Sequence, residues 1–271
     1  MSILEKDFTL YNGVDIPAIG FGTWQIEGES AAFTAVNHAL EAGYRHIDTA
    51  YVYGNETGVG RAVHGHEGLF ITSKLPAEIK TYAGAMESFQ KTMKNLNLDV
   101  LDLYLIHAPW PWNDQGSDHN EGNVAAWKAL EELYKSGLCR AIGVSNFEAN
   151  HIQYLLDRCE IIPMVNQIRY CIGFTQEETV SYCREQAILV EGYSPLATGK
   201  LLGNKQIAAV ASQYGKSVAQ LSIRYCLEKD VLPLPKSTDP GRIRENADVD
   251  FTILPQDLET LDNMQNTVAN M

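Results

Sequence analysis

Leu69-Phe-Ile-Thr-Ser-Lys74 and Leu101-Asp-Leu-Tyr-Leu-Ile-His107 are two apolar runs of strand length, each ending on a basic side chain, with the amphipathic segment Thr81 to Asn97 between them. Strand, helix and strand in that order make a unit that pairs its strands in parallel through a helical crossover. Working outward, the unit repeats in both directions. Upstream, Arg45 to Asp48 is a strand followed by a short helix over Asn55 to Val63. Ala18-Ile-Gly-Phe-Gly-Thr-Trp24 is a strand followed by a helix that Ser30 caps and Gly43 stops after Ala42. Ahead of it Phe8 to Tyr11 and Val14 to Pro17 flank Asn12-Gly13, a pair that takes positive φ readily and so predicts a hairpin. Downstream, a polar, aromatic-rich loop from Ala108 to Asn120 leads into a helix to Lys135 that stops at Gly137. Strands then fall at Ala141 to Val144, Met164 to Gln167, Ile188 to Tyr193 and Val231 to Leu234. Helices fall at Glu148 to Asp157, Gln176 to Gln186, Lys205 to Tyr214, Val218 to Glu228, about Pro240 to Asn246, and Pro255 to Asn263. Eight core strands alternating with helices, without linker or low-complexity tract, predict an α/β chain forming one (β/α)8 TIM barrel domain over residues 1–271, with an N-terminal hairpin and a short C-terminal helix and tail. The rival, a doubly wound open sheet, usually opens a helix on Gly-x-Gly-x-x-Gly, whereas Gly20-Phe-Gly22-Thr-Trp24 has two glycines and no helix there.

Composition narrows the function classes. The chain has 271 residues, 45% hydrophobic and 20% charged, which is ordinary folded composition. A net charge of −13 repels polyphosphate, so neither nucleic acid nor an anionic membrane is expected as a partner, and any anionic ligand must find a local basic cluster. Five scattered cysteines without a Cys-x-x-Cys pair argue against a disulfide framework or zinc knuckle. No apolar stretch is long enough to span a bilayer, and a cytoplasmic protein with reduced thiols is expected. His64-Gly-His66 has no third ligand nearby and reads as a solvated turn, so no metal is assigned.

In a barrel the C-terminal ends of the strands converge on one mouth, and three of these ends carry Asp48, Lys74 and His107. Tyr53 sits in the loop after Asp48. Each has a plain reading by itself: a turn former, a solvated strand end, a core histidine. Together they form a candidate acid–base site. A phenol with an ordinary pKa near ~10 donates a proton at neutral pH only if its neighbours ease its ionisation, which predicts a cation beside Tyr53.

These blocks resemble the aldo-keto reductase superfamily along nearly the whole chain, including prokaryotic-type members such as 2,5-diketo-gluconate reductases and related aldehyde or keto reductases. Gly43-Tyr-Arg-His-Ile-Asp-Thr-Ala50 with Tyr53-Gly-Asn-Glu56 is similar to its first signature, Ile71 to Leu75 to its lysine strand and Asp102 to His107 to its histidine strand. Gly143-Val-Ser-Asn-Phe147, Val165-Asn-Gln167, Tyr193-Ser-Pro-Leu196 and Pro235-Lys-Ser237 follow in the family's order. The resemblance implies NADPH-dependent carbonyl reduction with Asp48, Tyr53, Lys74 and His107 as catalytic residues. Tyr53 would donate the proton, Lys74 stabilise its phenolate, Asp48 hold Lys74, and His107 polarise the carbonyl. It further implies a nicotinamide stacked on Tyr193, its carboxamide bonded by Ser145, Asn146 and Gln167, with Ser194 and Leu196 alongside. Lys236, Ser237, Thr238, Arg242, Glu245 and Asn246 occupy the adenosine-phosphate block. Lys236, Arg242 and Arg244 form a basic patch in an acidic chain, which favours NADP(H) over NAD.

The departures bear on substrate. Ala108 and Pro76 stand where relatives often carry Trp, and Arg169 and Cys171 where they often carry Glu and His. Trp24, Trp110 and Trp112 are candidates for the missing aromatic surface, so the substrate-binding set is Trp24, Tyr53, His107 and Trp110. The short tail after Asn263 predicts an open site for small aldehydes, ketones, dicarbonyls or keto sugars, worked by a monomer. Two rivals stand beside this: a non-catalytic cofactor-binding or structural barrel protein, and NAD-linked alcohol oxidation.

Overall fold

The computed structural model describes residues 2–265 and 267; the predicted tail lies partly outside them. Asp7–Thr9 (β1) and Asp15–Pro17 (β2) pair antiparallel, Phe8 opposite Ile16, which is the predicted hairpin. The barrel strands are Gly20–Gly22 (β3), His46–Asp48 (β4), Phe70–Leu75 (β5), Leu101–Ile106 (β6), Cys139–Ser145 (β7), Val165–Arg169 (β8), Leu189–Tyr193 (β9) and Val231–Leu234 (β10). Each pairs in parallel with the next in sequence. At the mouth the N–H of Gly22 donates to the carbonyl of Pro235 at 3.0 Å, joining the first strand to the last.

Ten helices are described: Glu29–Glu41 (α1), Glu56–Val63 (α2), Tyr82–Leu96 (α3), Asn120–Lys135 (α4), Ala149–Leu156 (α5), Glu177–Glu185 (α6), Lys205–Gln213 (α7), Val218–Glu228 (α8), Pro240–Ala247 (α9) and Pro255–Asp262 (α10). Local chemistry sets their ends. The Thr81 hydroxyl accepts the Gly84 N–H at the start of α3, and Asn97 ends that helix at φ 54°. Ser30 does not cap α1: Gly28, at φ 81°, turns the chain into the helix two residues earlier and leaves Ser30 in the first turn. Three 3-10 turns were not foreseen, Ile3–Glu5, Tyr51–Tyr53 and Ala197–Gly203, and the last two border the mouth.

Strands β5 and β6 are buried at every position, as expected of strands with side chains filling the barrel on one face and helices covering the other. The helices press close. A Cβ on Gly58 would run into the Glu29 carbonyl, and one on Gly60 into the Leu96 carbonyl, so α2 nests against the start of α1 and the end of α3. Both obstacles are backbone, which cannot rotate away. Gly60→Ala is therefore expected to lower stability by roughly 1–3 kcal/mol despite the better helix propensity of alanine. Urea unfolding measures this; a stability gain would show that α2 and α3 part without cost.

Candidate active site

The floor of the mouth is a buried ion pair. Lys74, fully buried on β5, donates to Asp48 Oδ2 at 2.6 Å and to the Thr49 carbonyl at 2.9 Å. Asp48 ends β4 and accepts a second hydrogen bond from Gln167 Nε2 at 2.8 Å, which reaches across the barrel from β8. Opposite charges this close, with hydrogen bonds on the remaining lone pairs, are the arrangement in which buried charges persist.

Tyr53 is brought over this pair by the 3-10 turn after β4, which Gly54 ends at φ 66°. The Lys74 ammonium lies 5.2 Å from its ring centre, and the His107 ring stands edge-on to it at 5.6 Å. Trp112 packs edge-on against His107 at 5.4 Å. Burial, then the charge of Asp48 and the nearby Tyr193, pushes the Tyr53 phenol well above its ordinary pKa. The expected cation is in place, yet it does not lower the phenol of the resting site. Lys74 is present beside the ring, but desolvation prevails in the resting site and Tyr53 is a protonated donor throughout the neutral range. His107 moves the other way: burial and then Lys74 hold it well below its usual pKa, leaving a neutral imidazole. Its main-chain N–H is anchored on the Leu75 carbonyl at 3.1 Å, while its Nδ1 is buried and has no partner among the described residues.

From this mouth a cleft of about 840 Å³ extends toward α9. Ser145, Asn146, Gln167, Tyr193, Ser194 and Leu196 line it, and Ser145, Asn146 and Tyr193 are tied to one another and to their neighbours by hydrogen bonds. Ser145 Oγ donates to the Gln167 carbonyl at 2.8 Å, Asn146 Nδ2 to the His107 carbonyl at 2.9 Å, and Tyr193 OH to Asn146 Oδ1 at 2.8 Å. Asn146 and Ser194 have positive φ, 61° and 52°, bending the chain at the ends of β7 and β9. At the far end Lys236, Ser237, Arg242, Glu245 and Asn246 line the cleft. Lys236 and Arg242 take part in no ion pair among the described residues, and Asp239 fixes the start of α9 by accepting the Arg242 N–H at 2.8 Å.

Three of the predicted residues fall outside the lining, and one of them is Lys74, which is fully buried beneath it. Thr238 points into the exposed turn before α9, and Trp110 packs behind Trp112 with ring centres 5.4 Å apart, so Trp112 forms the wall in its place beside Trp24 and Val52. Pro76 and Ala108 are fully or almost fully covered. Arg169 lies over the Phe174 ring at 4.8 Å, and Cys171 is buried where its backbone bridges to Phe174. His64 and His66 are exposed in the turn after α2.

Sequence patterns did not mark Gln25, Val52, Thr198, Leu202 or the first turn of α8 (Ser217 to Ala219) as lining residues. Ala197 and Thr198 are left-handed, φ 49° and 53°, without being the glycine or asparagine that signals such a bend. Gly199, at φ 90°, was the one available cue.

Residues 18–266 match the model of the aldo/keto reductase family. A glyoxal reductase of Bacillus subtilis (strain 168) is 43% identical over 264 residues, covering 96% of this chain and 92% of that protein. The methylglyoxal reductase DkgA of Escherichia coli (strain K12) is 40% identical over 251 residues, covering 90% and 88% respectively. The crystal structure of a Bombyx mori aldo-keto reductase in complex with NADP is similar at a TM-score of 0.87 and 32% identity, covering 97% of this chain and 93% of that one.

Proposed function

This chain belongs to the aldo/keto reductase family, and from that premise we propose that it reduces the carbonyl of small aldehydes, ketones, dicarbonyls or keto sugars to an alcohol at the expense of NADPH. One observation carries the reading: the buried Asp48–Lys74 pair lies beneath a protonated Tyr53 and a neutral His107 at the end of a cleft whose other end is basic. Relatives that act on glyoxal and methylglyoxal favour small dicarbonyls among these substrates.

The donor set fits a nicotinamide dinucleotide phosphate. Tyr193 offers an aromatic surface to a flat heterocycle, and Ser145, Asn146 and Gln167 offer hydroxyl and amide groups to a carboxamide. Ser194 and Leu196 border the same stretch, and Lys236 and Arg242, free of ion pairs, can meet a 2′-phosphate dianion with Ser237 and Asn246 beside them. Bound there, the cofactor would supply the hydride that turns the carbonyl into an alkoxide. His107 donates a hydrogen bond to the carbonyl oxygen and so favours the developing charge. Tyr53 passes its hydroxyl proton to that oxygen. Lys74 limits the cost of the phenolate left behind, and Asp48 holds Lys74 in place. Trp24, Val52 and Trp112 supply apolar walls, and none of the three is charged.

A panel of carbonyl compounds assayed by NADPH consumption tests the reaction. Turnover with any small aldehyde or dicarbonyl supports it; NADPH binding without turnover on the whole panel would identify a non-catalytic barrel protein. For the cofactor, Lys236→Met is expected to weaken NADPH roughly 10- to 100-fold and leave NADH unchanged, the value of a charge-assisted bond to phosphate. Equal affinity for the two cofactors in the unmodified protein would defeat the NADP assignment. No helix among the described residues is long and apolar enough to cross a membrane. We place the protein in the cytoplasm, where its free cysteines stay reduced, acting as a monomer, which light scattering can check.

A further inference from the structure

Beneath the Asp48–Lys74 pair the barrel holds a second polar layer that the chemistry above does not use. Glu191, mid-strand in β9, is fully buried and stands opposite Gln167 in the β8–β9 register. Its Oε2 accepts from Gln167 Nε2 at 2.9 Å, and the same nitrogen donates to Asp48 Oδ2 at 2.8 Å. An amide nitrogen has two hydrogens, so two carboxyl groups consume both, and the carbonyl oxygen is what the Gln167 side chain has left to offer. The other oxygen of Glu191, Oε1, lies 3.9 Å from His46 Nε2 and has no hydrogen-bond partner among the described residues. His46 shares that nitrogen with Thr72 Oγ1 at 3.0 Å.

The titratable groups facing Glu191 are Asp48 and His46 from β4 and Lys74 from β5; Gln167 from β8 is neutral, and β10 on its other side carries only Val231, Leu232, Pro233 and Leu234. Were Glu191 ionised, two carboxylates would share one ammonium where no water reaches. Burial, followed by Asp48, accordingly raises its pKa to about 8, and burial, followed by Lys74, lowers that of His46 to about 3. At neutral pH the layer is uncharged: Glu191 keeps its proton and His46 has none.

We propose that Glu191 is a positioning residue: by holding the second amide hydrogen of Gln167 it sets the plane of that amide, so that Gln167 meets the nicotinamide carboxamide through its carbonyl oxygen and as an acceptor. This rests on the reading of the cleft as a nicotinamide dinucleotide site. Glu191 does not line the cleft, whereas Gln167 does, so it acts through Gln167.

Two variants test this. Glu191→Leu fills the space but cannot accept the amide hydrogen, and Glu191→Gln accepts it but cannot ionise. The full chain is titrated by fluorescence with NADPH and, separately, with adenosine 2′,5′-bisphosphate, which has no nicotinamide. Glu191→Leu is expected to bind NADPH about tenfold more weakly and the bisphosphate as the unmodified protein does, while Glu191→Gln binds both normally. Unchanged NADPH binding by Glu191→Leu, or equal weakening toward both ligands, overturns the inference. Should Glu191→Leu not fold, Glu191→Met, which likewise cannot accept the amide hydrogen, takes its place in the same two titrations with the same outcomes deciding. Failure of the unmodified protein to bind NADPH would instead remove the reading of the cleft on which the inference rests.

Discussion

Replacing Tyr53 with phenylalanine is expected to lower kcat for carbonyl reduction about 10²- to 10⁴-fold while NADPH binding stays within a few-fold of normal. The range is what a positioned general acid contributes. The ring remains, so its edge contact with His107 at 5.6 Å and the Lys74 ammonium at 5.2 Å have the same surface to meet. Only the hydroxyl is lost. Loss of kcat and kcat/KM together, with cofactor affinity kept, is the signature of a group used in the transition state. Steady-state kinetics beside a fluorescence titration measure both quantities, and near-normal turnover would remove Tyr53 from the mechanism. Because burial holds the phenol well above its ordinary pKa, ionisation of Tyr53 itself does not limit the unmodified enzyme in the neutral and mildly alkaline range.

Lys74→Met is expected to damage both activity and stability. The substitution keeps most of the volume but leaves Asp48, nearly inaccessible to water, with the amide of Gln167 as its remaining side-chain partner. Removing one member of a buried ion pair costs roughly 3–5 kcal/mol, because the other charge is stranded. Activity falls as well, since nothing then offsets the phenolate at Tyr53; a loss of about 10³-fold or more is expected. Adding Asp48→Asn to Lys74→Met removes the stranded charge and is expected to restore most of the stability and none of the activity. Urea unfolding of the two single variants and the double variant forms the cycle that measures this coupling. Additive losses would mean that the pair at 2.6 Å contributes no coupling to the fold.

The contrast between these residues shows how far the amino-acid order reaches. Asp48, Lys74 and His107 were identifiable because each stands at the end of an apolar run, and in a closed parallel barrel all such ends share one mouth. Alternation of strand and helix is local chemistry, carried by hydrophobic period, Asn12-Gly13, Thr81 and Asn97, and it needs no knowledge of distant contacts. The start of α1 was placed at Ser30 instead of behind Gly28 because both residues are good helix starts and the wider chain path chose between them.

Other features had no local mark. Trp110 and Trp112 are the same residue type two positions apart, and the course of one loop puts Trp112 in the wall and Trp110 behind it. Ala197 and Thr198 bend left-handed because their surroundings hold them there, against their own preference. The sequence called for a cation beside Tyr53, and Lys74 stands 5.2 Å from its ring, but that burial and Asp48 push the resting phenol well above its ordinary pKa was decided only by the closed barrel. Glu191 carries no mark in the sequence, and only its burial and the bond to Gln167 join it to the site. Local order thus settled the elements, the barrel and the acid–base residues at its mouth. The protonation states, the walls of the cleft and the second polar layer arise from burial and from partners far apart in the chain, which exist only once the barrel has closed.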